Sequence, residues 1–165
     1  MDLIIKKEHL NDNNEYIGEI DVSNFDGNII AEENLGYIKF KSINVSGFIL
    51  FKAGSGIKAG DGIEAGWGIK AGDGIEAGSG IEAGWGIKAG EGIEAGWGIK
   101  AGDDIKAGSG IEAGLSISAQ VITTPLRVFA GLCLWRKPTE DEMKIKAKRI
   151  EGGGMIAFGE FEQIN

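Results

Sequence analysis

From Ala53 to Ser118 the chain repeats one pattern every six residues: a small apolar residue, a glycine, a variable residue, a second small residue, an isoleucine and a polar residue. The copies run from Ala53-Gly54-Ser55-Gly56-Ile57-Lys58 through Ala65-Gly66-Trp67-Gly68-Ile69-Lys70 to Ala113-Gly114-Leu115-Ser116-Ile117-Ser118. The first position is Ala and the fifth is Ile in all eleven copies. Each Ile and the Ala that follows are two residues apart, so on an extended chain they share one side and the Lys or Glu between them takes the other. The pattern therefore predicts very short strands, buried on the Ile and Ala side. A helix is excluded, because two glycines per hexad cost about 1 kcal/mol each and a six-residue period drifts off one face of a 3.6-residue helix. The constant β-branched Ile also argues against the flexible behaviour of glycine-rich linkers. The Gly-x-Gly segments are expected to turn the chain through backbone angles closed to other residues, placing a corner between strands.

Three hexads per coil give an all-β, three-sided parallel β-helix of about 18 residues per coil. The repeat resembles the hexapeptide β-helix families, which include sugar acyltransferases and bactofilin-like polymer proteins, and the resemblance covers the 66 residues of Ala53 to Ser118. The order differs from the left-handed transferase pattern, since here the small Ala leads and the large Ile follows, which leaves the hand of the helix open. A bundle of polyproline II helices is the competing arrangement. Residues 1–52 read as an N-terminal β cap with irregular first coils, 53–124 as the repeat and 125–165 as a C-terminal β cap. In the first, Ile17, Ile20 and Val22 alternate, and Tyr37 to Val45 and Phe48 to Phe51 read as strands with larger side chains, so the solenoid is expected to begin before Ala53. In the last, Val121 to Thr124, Leu126 to Leu132, Ile145 to Ile150 and Met155 to Phe158 read as strands, with a loop or short helical turn at Pro138 to Glu142. Separate end caps are expected, because an open coil leaves unpaired backbone groups.

With 18 residues per coil, outward residues 18 apart fall in one column, and the columns sort by charge. One face carries Asp73, Glu76, Glu91, Glu94 and Glu112 with Lys58 as its base. A second carries Trp67, Trp85 and Asp103 beside Lys70, Lys88 and Lys106, and a third mixes Asp61, Glu64, Ser79, Glu82, Trp97 and Lys100. Outward Lys and Glu keep a repetitive solenoid soluble, which needs no partner. Exposed tryptophans edged by charge mark an interface, and a homodimer or other homo-oligomer through the Trp67/Trp85 face is the simplest use. Alternatively, each indole lies over neighbouring glycines and shields backbone.

The balance of 17 basic against 25 acidic residues, net −8, argues against direct binding to nucleic acid or anionic membranes and favours a basic protein partner. A single cysteine, Cys133, in the apolar run Leu132-Cys133-Leu134-Trp135, excludes an internal disulfide and reads as a buried packing residue in a reducing, cytoplasmic setting such as a bacterial host cell. The start, Met1 to Glu8, has an early acid and three apolar residues in a row, so no signal or membrane segment is expected there. An acyltransferase of the hexapeptide class needs a histidine base, and the one histidine, His9, lies outside the repeat. The repeated carboxylates belong to an outer surface with no predicted cleft, no glycine run carries the phosphate-loop signature, and the aspartates do not follow the nonapeptide calcium pattern. No cofactor, metal or catalytic residue is assigned. The expectation is a non-enzymatic protein-binding module, in its sharper form a phage or mobile-element inhibitor whose acidic face engages a nucleic-acid-binding host protein, as some pentapeptide-repeat proteins do. A self-assembling scaffold that stacks into filaments is the alternative.

Overall fold

Each Ile-x-Ala triplet forms a three-residue strand with Ile and Ala buried and the middle residue outward, as in Ile63–Ala65, Ile81–Ala83 and Ile99–Ala101. The computed structural model, which describes residues 1–165, stacks these strands in parallel and in register. Ile69, Ile87 and Ile105 are successive partners on one sheet, which sets the coil at 18 residues. Three sheets of eight, seven and seven strands make the sides of a three-sided solenoid, the architecture expected from the hexad. Parallel β-strands paired in register between coils exclude the polyproline II bundle, which contains no β-sheet.

Inside, like stacks on like: Ile on Ile and Ala on Ala up each sheet, so every coil buries the same narrow cross-section. Burying each Ile contributes about 1.5–3 kcal/mol, which repeats on every side of every repeat coil. The same ladders continue through both flanks. Ile29 pairs Ile49 and Ile49 pairs Ile69, while Ile105 pairs Ile122 and Ile122 pairs Ile150, so the first coil begins at Asp2–Ile5. Larger residues fill the N-terminal coils: Phe40 stands where the repeat has Ala59, and Phe51 lies 6.1 Å from it, ring to ring. Two buried hydroxyls have their needs met by backbone. Ser55 donates to Glu33 O at 2.8 Å and accepts from Leu35 N–H at 2.9 Å, and Thr124 donates to Ser109 O.

The glycines do a different job from the one expected. None of the repeat glycines from Gly60 to Gly114 has positive φ, and the left-handed glycine of the repeat is Gly54 at its entrance. What the second position of the hexad requires is clearance. A Cβ at Gly78, Gly84, Gly90 or Gly96 would overlap the carbonyl oxygen of the equivalent glycine one coil below. At the fourth position the contact is milder: a Cβ at Gly62, Gly68, Gly80 or Gly86 would meet a carbonyl oxygen of the next coil at 3.2–3.3 Å, and at Gly92 the space is ordinary, with Gly110 O at 3.5 Å. The sequence matches this difference: the second position is Gly in all eleven hexads, whereas Asp104 and Ser116 occupy the fourth.

Three further expectations are corrected in the flanks. Ile17 and Ile20 lie outside any strand and are exposed, because the segment turns away from the sheets and ends in a 3-10 turn at Val22–Asn24, where Asp21 accepts from Ser23 N–H at 2.9 Å. Cys133 is only partly buried: the chain leaves the sheet at Gly131 (φ 86°), and Leu134 next to it is 96% exposed. The C-terminal end has no separate cap. The last coil, Arg149–Glu151, Met155–Phe158 and Glu160–Gln163, is itself the final layer, and its inward Ile150 and Ile156 are only half-buried. At the N-terminal end Leu10, Val22 and Phe25 are buried against the first coils.

Because clearance differs between the second and fourth positions, two neighbouring substitutions are expected to have different outcomes. Gly90→Ala forces its coil away from the one below and is expected to lower stability by about 1–3 kcal/mol. Gly92→Ala is expected to stay within about 0.5 kcal/mol of the parent. Thermal melts of the two single variants check this, and equal losses would refute a role based on clearance.

Candidate binding faces

Because the coils are in register, whatever side chain follows each Ile becomes a vertical column with rungs about 4.8 Å apart. On the eight-stranded sheet the outward column reads Ile4, Ile30, Leu50, Lys70, Lys88, Lys106, Thr123 and Glu151. It is apolar in its lower half and cationic in the middle. Along its edge Trp67 and Trp85 stack with centroids 5.5 Å apart and planes within 10°, and Phe48 continues the row 6.4 Å from Trp67. The two indoles are 50% and 59% exposed. They cover one another, and with Leu50 and the lysines they border a groove of about 520 Å³. None of Lys70, Lys88 and Lys106 makes an ion pair.

The next face carries the opposite column, Lys39, Lys58, Glu76, Glu94, Glu112 and Phe129. Lys58 reaches Glu76 at 2.6 Å, which leaves Glu94 and Glu112 without a base. Asp73 and Glu91 do not join this column. They stand at the corner between the lysine and glutamate faces, in line with one another through the bond from Glu91 N–H to Asp73 O at 3.3 Å. Partial burial first, then the neighbouring Glu94 carboxylate, pushes the Glu112 carboxyl above its ordinary value. Partial burial also raises the Tyr37 phenol, and its bond to Glu91 adds to that.

Tyr37 escaped the sequence reading. Its ring lies over Gly56, and its hydroxyl accepts from Gly74 N–H at 3.0 Å and donates to Glu91 at 2.8 Å, spanning several coils along the acidic corner. This residue covers glycine backbone at Gly56 and Gly74. The available signal was its register opposite Gly56, which becomes visible only once the irregular second coil is aligned with the repeat.

The third face pairs most of its own charges. Lys100 meets Glu82 at 2.7 Å, Asn44 donates to Glu64 at 3.0 Å, and Lys144 meets Glu162 at 2.7 Å. Its edge holds Trp97, 6.4 Å from Trp135, both about half exposed. No three His, Cys, Asp or Glu side chains are grouped so as to hold a metal ion, and no helix is long and apolar enough to cross a membrane. No protein-family model, curated protein or solved structure matches the chain.

The raised carboxyl gives a signed prediction. A carboxyl that binds its proton more readily in the fold opposes folding when ionised, above its folded value, and the opposition disappears as pH falls. Glu112→Gln is therefore expected to raise the melting temperature at neutral pH and to lose that advantage in acid. Melts across that range check it, and a variant less stable than the parent at neutral pH would contradict it.

Proposed function

We propose that the chain is a non-catalytic protein-binding rod whose acidic face, Glu76, Glu94 and Glu112 with Asp73 and Glu91 at its edge, docks a basic protein surface. One observation carries this reading. The mixed face pairs Glu82 with Lys100 and Glu162 with Lys144, while the two other faces each hold three like charges on successive rungs with at most one partner of their own. Like charges directly opposite one another on adjacent strands are unfavourable, and an external partner of opposite sign removes that penalty. The overall charge of −8 favours association with a basic partner for the same reason. A phage or mobile-element inhibitor that occupies the phosphate-binding surface of a nucleic-acid-binding host protein is the specific form of this reading. It rests on the regular spacing of the carboxylates, and the lone, partly buried Cys133 suits a reducing cytoplasm.

Titration with an oligolysine peptide tests the acidic face. The parent is expected to bind, and the triple variant Glu76→Gln/Glu94→Gln/Glu112→Gln to lose at least tenfold in affinity, with a weaker salt dependence. Equal affinity of parent and triple variant would remove the acidic face as the binding surface.

A further inference from the structure

Resting on that reading, we infer that the basic surface fitting the acidic face is the lysine face of a second copy of this chain, docked side by side with the rods parallel. The complement is present within one molecule. Lys70, Lys88 and Lys106 occupy three successive rungs, and Glu76, Glu94 and Glu112 occupy the next side of the same three coils. Both ladders have the same pitch, because both are set by the same 18-residue coil. With no axial shift, Lys70 faces Glu76, Lys88 faces Glu94 and Lys106 faces Glu112 of the neighbour.

The corners agree with this arrangement. The lysine face runs from the Trp67/Trp85 edge to the Asp73/Glu91 edge, and the glutamate face runs from the Asp73/Glu91 edge to the Trp97 edge. When two polygons share a side, their edges meet in opposite sense, so the exposed Trp67/Trp85 pair of one copy meets the exposed Trp97 edge of the next. The rungs match as well, since Trp85 and Trp97 belong to the coil that carries Lys88 and Glu94. Apolar edge meets apolar edge on the outside, and the charge ladders neutralise each other between them.

A symmetric dimer through two lysine faces brings the ladders of like charge together, so the contact joins different faces and each copy keeps one face for a further copy. The outward directions of adjacent sides differ by about 120°, so successive copies turn by about 60° and the assembly curves back within about six copies. Asp73 and Glu91 converge along the inner edge and oppose closure of the ring. The lysine face has eight strands and the glutamate face seven, so seven rungs at about 4.8 Å meet over roughly 34 Å and, at roughly 15 Å across, bury on the order of 500 Å² per copy, the size of weak, transient interfaces.

Charge exchange tests the contact. Lys70→Glu/Lys88→Glu/Lys106→Glu gives the lysine face an acid ladder of the kind the native chain already folds with on the next side. Glu76→Lys/Glu94→Lys/Glu112→Lys gives the glutamate face the native lysine ladder. Circular dichroism and melts verify that each variant is folded. Light scattering coupled to size-exclusion chromatography is expected to show the parent as a salt-sensitive assembly above 17.4 kDa, each variant alone as a monomer, and the two mixed as a restored assembly. Oligomers that persist in both variants separately would overturn the proposed contact. So would a parent that stays monomeric up to its solubility limit. If that monomer still binds oligolysine through Glu76, Glu94 and Glu112, the second copy is excluded and the acidic face stands as a docking site for another protein. If it does not bind, both readings fall.

Discussion

The approach of one coil to the next at the second position of the hexad governs the rest of the molecule. There the glycine of one coil sits against the carbonyl oxygen of the glycine below, with no room for a side chain. That closeness keeps every corner in register, as the bonds from Gly84 N–H to Ala65 O and from Trp85 N–H to Trp67 O show at 3.0 and 2.7 Å. With the corners locked, three-residue strands suffice. Stability is then close to a sum of identical coil interfaces, each burying Ile on Ile and Ala on Ala.

The same registry that makes the interior uniform amplifies whatever the outside carries. A single Lys per coil on one side becomes a ladder of lysines, and a single Glu on the next side becomes a ladder of glutamates. On the third side the column runs Glu64, Glu82 and Lys100, and Lys100 neutralises Glu82. The chain therefore contains both solutions. The ladders of unneutralised charge, with half-exposed tryptophans at two of the three edges of the rod, are the physical basis for reading it as a binding element.

The three-sided solenoid, its 18-residue coil and the sorting of charge by face were legible in the sequence, because a period of six with a constant Ile leaves few other ways to bury the apolar positions. The role of the glycines was not, since turning and close approach leave the same residue type, and only the gap between coils separates them. Asp104 and Ser116 at the fourth position were the available hint. Ile17 and Ile20 alternated like a strand yet lie exposed, because two apolar residues give too little burial to hold a strand against a local turn at Asp21. The acidic set divides in the structure. Glu76, Glu94 and Glu112 form one column, while Asp73 and Glu91 belong to the corner held by Tyr37, a residue outside the repeat and so outside the pattern.

Residue-resolved hydrogen exchange tests the central claim, the locked registry of coils, most directly. The amides of Gly84, Trp85, Gly102 and Asp103 each donate to the coil below, with distances of 2.7–3.1 Å. They are expected to exchange as slowly as those of Ile69 and Ile81, which donate to the coil above at 3.0 Å. Corner amides that exchange at the rate of an unstructured glycine-rich peptide, while the Ile amides stay protected, would contradict a registry set at the glycines.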